Sequence, residues 1–301
     1  LCPAQGLGKA MTGADSLAPG LLRLRAANPG PLTGSGTNTY LLGTDELAVI
    51  DPGPDLDAHL AAILAAAGPR RVSRIIVTHP HLDHSALAPR LARATGAEVL
   101  AFGGARDGMN PQTAVFGEAL PSSGDGLDLA FTPDRRLADG DRLTGPDWTL
   151  AVLHTPGHLG SHICLAHGDV LFTGDHVMGW ATSIVSPPEG DMGDYVASLH
   201  RLAGQRWSRL LPGHGDPVGV PATRTADLIA HRAGREAQIL YALASGPATA
   251  KSLTARVYRE IPKALWPAAE RNVLAHLIDL ERRTQVWSDG APLPVAVFRR
   301  R

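Results

Sequence analysis

The sequence predicts a layered α/β fold, two packed β-sheets with helices on their outer faces, followed by a C-terminal α module of winged-helix-like design. Three observations lead to it. Strand-like and helix-like segments alternate from 21 to 102, tightly joined strand-like segments fill 148 to 173, and helical periodicity takes over after Pro221. A chain of 301 residues has room for two domains of about 150 residues each. We expect a flexible segment over 1–20, a main α/β domain over 21–221 and the helical module over 222–301, with Met11 a candidate start.

Residues 21–26 (LLRLRA) alternate apolar and polar side chains, the pattern of a strand with one wet face. Strands are expected at 39–42 and 47–50, turned at Gly43-Thr44-Asp45, and a helix over 55–67 that stops at Gly68-Pro69. The β-branched run Ile75-Ile76-Val77 reads as a buried strand, followed by a helix over 85–95 and a strand over 98–102. Residues 103–146 are Gly-, Pro- and Asp-rich, with short strands expected near 128–132. Strands at 148–153, 161–166 and 169–172, a helix over 194–202 and a strand at 210–211 complete the main domain. Helices over 226–244, 251–259 and 267–283, then apolar runs at 285–287 and 295–298 flanking the turn SDGAPLP, give the winged-helix-like pattern.

Composition excludes several classes of protein. With 44% hydrophobic and 19% charged residues the chain can bury a large core, which disfavours disorder. No apolar run approaches the roughly 20 residues of a membrane span, and the N-terminus lacks a basic-then-apolar secretory pattern. Two cysteines cannot make a disulfide framework, so a reduced, cytoplasmic setting is expected, with Cys164 a small core residue. The net charge of −1 hides an asymmetry: residues 222–301 hold 13 Lys and Arg against 7 Asp and Glu. The C-terminal module is therefore basic and the body acidic.

The chemistry concentrates where the 75–77 strand ends. In RIIVTHPHLDH, four potential metal ligands, His79, His81, Asp83 and His84, fall within six residues. Three imidazoles and a carboxylate crowded on one loop repel when charged and need many partners when buried; a metal satisfies them together. His79 and His81 can point one way from an extended segment while Asp83 and His84 reach a second position, so one strand end could serve two ions. Other strands end in further candidates: His158 after LHTPG, Asp175 after LFTG and His214 after LPG. Each follows a glycine, which lets backbone and side chain crowd a small volume.

HxHxDH, then His, Asp and His, each at its own strand end, resembles the metallo-β-lactamase superfamily. The resemblance implies a four-layer αββα fold and a dinuclear Zn²⁺ centre, with Fe or Mn equally compatible with the donors. It assigns His79, His81 and His158 to one metal, Asp83, His84 and His214 to the other, and Asp175 to bridge them. Asp51, in IDPGP, then orients ligands without touching metal. Asp83 and Asp175 are the expected catalytic carboxylates. The segments NTYL, TPGHLGSH, FTGDHVMG and LPGHG narrow the resemblance to the beta-lactamase-like protein 2 group, related to glyoxalase II. The spacing from Asp175 to His214 leaves no room for a β-CASP insertion, and His81 argues against the flavodiiron branch.

Several residues could tune the pocket. His162 is either a hydrogen-bond donor to the site or a packed strand residue, and His176 faces either substrate or solvent. Trp180, with Met178 and Pro187-Pro188, is either an apolar wall or a core contact. Three functions follow as expectations. The first is a dinuclear zinc hydrolase using a metal-bridging hydroxide on a small ester or thioester; the second is an endoribonuclease acting on single-stranded RNA held by the basic module. The third is a metal-bound scaffold whose tail recruits a partner. A homodimer is a further expectation, and no membrane partner is expected.

Overall fold

The computed structural model describes residues 13–117, 120 and 126–301. Cys2, the candidate start at Met11 and most of the segment expected to be flexible lie outside the described residues.

The first sheet has seven strands: β1 (Asp15–Ala18), β2 (Leu21–Arg25), β3 (Asn38–Leu42), β4 (Glu46–Ile50), β5 (Arg71–Ile76), β6 (Glu98–Ala101) and β7 (Arg135–Arg136), ordered as numbered. Pairing is antiparallel from β1 to β4 and parallel from β4 to β7. Helices α1 (Asp57–Ala67), α2 (Leu82–Ser85), α3 (Ala88–Thr95) and α4 (Pro111–Ala114) leave and rejoin it. The second sheet joins β8 (Arg142–Thr144), β9 (Thr149–His154), β10 (Ile163–His167), β11 (Val170–Gly174) and β12 (Arg209–Pro212) in the order β12-β11-β10-β9-β8. Helix α5 (Met192–Ala203) precedes β12.

Strand periodicity explains the layering. In β4, Ala48 and Ile50 join Tyr40, Ile76, Val152, Ile163 and Phe172 in the core between the sheets, while Leu47 and Val49 pack with Ile63, Leu87 and Leu91 beneath α1 and α3. Both faces are buried, so the strand reads as an unbroken apolar run. On the far side, Leu153, Cys164 and Leu171 pack with Tyr195, Leu199 and Leu202 of α5. The order helix, sheet, sheet, helix is the expected four-layer arrangement.

Helices α6 (Pro221–Ala244), α7 (Ala250–Val257) and α8 (Trp266–Arg282), with the antiparallel pair β13 (Val286–Ser288) and β14 (Phe298–Arg300), enclose a second core around Leu253, Val273, Leu277, Val286 and Phe298, which Leu120 of the main domain joins. Leu228 of α6 and Ala275 of α8 instead join the core of α5, so this module is packed against the second sheet's helix layer.

Some elements differ from expectation. Residues 15–18, inside the segment expected to be flexible, form β1, held by pairing with β2 and by the Arg23–Asp15 ion pair at 2.7 Å. No strand forms at 128–132: Leu127 and Phe131 turn inward separately while Leu129 stays exposed, and the short strands lie at β7 and β8. The 85–95 helix is split, because Pro89 at the start of α3 lacks the amide a continuous helix needs. Proline opens α6 at Pro221, five residues before the expected start, a first-turn position where no amide hydrogen is missed. Strand β14 is shifted to 298–300, leaving Val295 exposed after Pro294.

Candidate metal centre

All seven expected ligands converge at the open end of the two-sheet core, from four separate places in the chain. The turn after β5 brings His79 and His81, α2 brings Asp83 and His84, and the loops after β9, β11 and β12 bring His158, Asp175 and His214. Ligand atoms of His79, His81, His158 and Asp175 lie within 4.8 Å of one another, as do those of Asp83, His84 and His214. His79 Nε2 and His158 Nε2 stand 2.9 and 3.1 Å from His81 Nδ1. In the second group, His214 Nε2 and His84 Nε2 stand 3.2 and 3.4 Å from Asp83 Oδ2. Asp175 lies between the groups: Oδ2 is 3.8 Å from His158 Nε2 and Oδ1 is 3.5 Å from His84 Nε2.

Outer contacts decide which nitrogen of each ring points inward. A carbonyl oxygen can only accept, so His158 Nδ1–H donates to Ile184 O at 2.6 Å, leaving Nε2 with a lone pair toward the cluster. The same logic applies to His214, whose Nδ1 donates to Gly36 O at 3.4 Å. His84 Nδ1 lies 2.9 Å from Asp51 Oδ2, and His79 Nδ1 3.0 Å from Thr78 Oγ1, a hydroxyl whose hydrogen goes to Asp51 Oδ2 at 2.8 Å. Asp51 thus contacts one imidazole of each group, His84 directly and His79 through Thr78. Its left-handed backbone (φ 50°) turns the chain out of β4 so that the carboxylate also accepts from Thr78 N–H at 2.7 Å.

The electrostatics divide the same way. Burial, aided by neighbouring imidazoles, holds His79 well below its ordinary pKa and His81 at about 3. In the other group burial acts in the same direction, but Asp83, Asp175 and Asp51 overcome it and raise His84 well above its ordinary value, and Asp175 raises His214 to about 9. Burial would raise the two carboxylates; the facing imidazoles outweigh it and hold Asp83 and Asp175 below the usual range. The pocket is one that attracts positive charge.

These residues fit a pair of cations. His79 and His158 turn Nε2 lone pairs toward His81 Nδ1 at 2.9 and 3.1 Å, and Asp175 Oδ1 is buried without a hydrogen-bond partner. The glycines before the ligands fit too: a Cβ on Gly213 would lie 2.6 Å from both Asp175 Oδ1 and His84 Cε1, and one on Gly174 would lie 2.7 Å from His162 Nε2.

The Metallo-beta-lactamase superfamily model matches residues 32–214, a span that ends on the last of the seven expected ligands. The chain belongs to the metallo-beta-lactamase superfamily. A Beta-lactamase associated winged helix domain matches residues 249–291, so α6 lies between the two matched regions. The Beta-lactamase-like protein 2 homolog of Drosophila melanogaster is 32% identical over 87% of this chain and 88% of its own length. The Atrochrysone carboxyl ACP thioesterase of Aspergillus fumigatus is 30% identical over 82% of this chain and 76% of its own. A solved beta-lactamase domain protein from Burkholderia ambifaria superposes with a TM-score of 0.81 at 26% identity, covering 99% of this chain and 96% of that one.

As a member of the metallo-beta-lactamase superfamily, the chain is a metal-dependent hydrolase, and membership implies a dinuclear metal centre of His and Asp residues. Around that centre the pocket candidates sort out by burial. His162 is not among the converging donors: its Nε2 accepts from Asp175 N–H at 3.2 Å, so Nδ1 carries the hydrogen and faces Thr155 Oγ1 at 2.9 Å. His176 faces neither substrate nor solvent; it is fully buried against the Tyr195 ring, because the chain turns inward directly after Asp175. Trp180 is 47% exposed and covers Gly34 and Gly215 beside His214, whereas Met178, Pro187 and Pro188 are buried.

Sequence reasoning missed the supports. Asn38 donates to Pro212 O and Gly215 O at 2.9 and 2.8 Å and Tyr40 donates to Pro212 O at 2.7 Å, so β3 fixes the turn carrying His214. Thr37 Oγ1 donates to Asp83 Oδ2 at 2.9 Å. The only hint was polar residues inside the strand-like run TNTYL.

Proposed function

We propose that this chain hydrolyses a small ester or thioester at a centre of two Zn²⁺ ions, in the manner of glyoxalase II, with residues 21–221 carrying the chemistry. The observation that carries this reading is two adjacent groups of donors, with Asp175 of the first also 3.5 Å from His84 and 3.4 Å from His214 of the second, beside a half-exposed apolar wall, Trp180. His79, His81 and His158 would hold one ion, Asp83, His84 and His214 the other, and Asp175 would touch both. Two cations bound there supply a nucleophile from water near neutral pH and a Lewis acid that polarises the scissile carbonyl.

The chain's own residues account for the rest. Asp51, Thr78, Ile184 O and Gly36 O fix ring orientations before substrate arrives, so little reorganisation is left for the reaction. The Asp83 side chain is 26% exposed against 12% for Asp175. Asp83 is the carboxylate that substrate and water can reach, and it would take up a proton and pass it to the leaving group. Trp180 offers an apolar face to an acyl group. The thioesterase name of the Aspergillus relative agrees with this substrate class.

The basic C-terminal module argues less for RNA than its composition suggests. Arg232 is buried, Arg282 pairs with Asp191 at 2.7 Å, Arg283 with Asp279 at 2.8 Å and Arg299 with Asp289 at 3.3 Å. Part of the positive charge is thus buried or paired with carboxylates. The deciding experiment measures bound metal and assays thioesters, lactones and single-stranded RNA side by side, with and without chelator. Two zinc ions per chain and chelator-sensitive thioester turnover are expected. RNA cleavage without thioester turnover would overturn the substrate assignment, and no bound metal would overturn the site.

A further inference from the structure

The loop that leaves Asp175 is held from outside the superfamily domain. Ser183 Oγ lies against the carbonyls of Asp175 and His176, and Tyr195 Oη donates to His176 O at 3.0 Å. Ile184 O, the next carbonyl along, accepts the Nδ1–H of His158. Two expected ligands of the first ion therefore depend on where residues 183 and 184 sit.

That position is set by α6 and α8. Arg232 Nη2 donates to Ser183 O, and its Nη1 lies 3.3 Å from Asn272 Oδ1. The same Asn272 oxygen accepts from Val185 N–H at 3.0 Å. Ile184 is thus bracketed on both sides by side chains of the helical module. Upstream, Arg224 of α6 donates to Met178 O at 2.6 Å and Ala181 O at 2.5 Å, bracketing Trp180 in the same way.

The energetics favour a dedicated arrangement. Arg232 is 2% exposed, and the groups that meet it, the Ser183 carbonyl, Asn272 and the Tyr195 ring at 4.8 Å, carry no net charge. A buried guanidinium is costly unless its donors are used; here Nη2 is used on the loop and Nη1 on Asn272, which itself holds the loop, while Nε has no hydrogen-bond partner. A module that served only to cover the sheet could do so with leucines, as α6 already does with Leu228.

We infer that Arg232 and Asn272 are positioning residues for the metal centre, acting through Ser183, Ile184 and Val185 on His158 and Asp175. The inference rests on the two-ion reading of the site. It assigns the C-terminal module a part in metal affinity and not only in shaping the pocket.

The test is chelator-competition titration of the full chain with Zn²⁺, alongside kcat and KM. Asn272→Leu removes the shared acceptor at similar volume; Asn272→Asp keeps it and adds a charge opposite Arg232. Asn272→Leu is expected to weaken the zinc equivalent held by His158 about 10- to 100-fold, the other, which shares Asp175, by less, and to lower kcat, with Asn272→Asp close to wild type throughout. If Asn272→Leu does not fold, Arg232→Gln is read in the same way. Wild-type affinity for both equivalents in the folded variants would overturn the inference while leaving the two-ion site intact. So would equal weakening in Asn272→Leu and Asn272→Asp, which marks a general loss of packing. A wild-type chain that takes up no zinc would overturn the site reading instead.

Discussion

Asp51 Oδ2 lies 2.9 Å from His84 Nδ1, and both groups are buried. The carboxylate fixes the ring so that Nε2 faces Asp83 and Asp175, and it makes that nitrogen a stronger donor to a cation. Asp51→Ala is expected to lower affinity for the ion held by Asp83, His84 and His214 about 10- to 100-fold. Asp51→Asn, which tolerates the left-handed backbone and keeps one acceptor, should be milder. Zinc titration of the two variants checks the order; equal affinities in Asp51→Ala and wild type would remove Asp51 from the centre.

Gly213 tests the crowding of the site with a single methyl group. Its Cβ would meet Asp175 Oδ1 and His84 Cε1 at 2.6 Å, distances that force one ligand to move. Gly213→Ala should fold, since the clash lies at the pocket and not in the core, yet bind fewer than two zinc ions and lose at least tenfold in activity. Metal analysis of the purified variant with its circular dichroism spectrum decides it, and a variant with two ions and full turnover counts against the arrangement.

The side chains that converge were legible in the sequence because each sits at the end of a β-branched or apolar run with a glycine or proline beside it, a local pattern. His79, His81, Asp83 and His84 share one loop, and the others repeat the same strand-end setting. The contacts that orient them are another matter. Val185 and Asn272 are 87 residues apart, and Asn38 and Gly215 are 177 apart, so only the folded chain brings these partners together. The same limit explains His176: its neighbour Asp175 marks a site, but whether the next side chain faces out or in depends on Tyr195 and α5. The 128–132 segment misled for a related reason. Leu129 and Phe131, in step with Leu127 just before the segment, imitate a strand, but Leu127 and Phe131 are buried in separate clusters and Leu129 is exposed.

Trp180 distinguishes a substrate contact from a support. It is half-exposed and rests on two glycines, so removing it leaves the ligands' own hydrogen bonds intact. Trp180→Ala should raise KM for an apolar acyl thioester about tenfold, consistent with about 1.4 kcal/mol of lost contact, while kcat changes less than threefold. Trp180→Phe should recover most of the loss. A fall in kcat at unchanged KM would show that the residue positions ligands instead.

His276 gives a pH dependence that metal does not obscure. It lies in α8, 1% exposed, and neither ring nitrogen has a hydrogen-bond partner. Burial, and then the positive charges of Arg232 and Arg283, push its pKa down to about 3. In the unfolded chain the same ring titrates near 6.5, so below that pH the unfolded state binds a proton that the folded state refuses. Stability therefore falls as pH drops from about 6.5 toward 3, by about 1.4 kcal/mol per unit once well below 6.5. Replacing the ring removes this slope. Against wild type in chelator, His276→Leu should gain about 2 kcal/mol in relative stability between pH 7.5 and pH 5. Denaturant melts at the two pH values measure the difference directly. A constant gap would mean that His276 takes up its proton in the folded chain, with the ring reaching water or an anion next to Arg232.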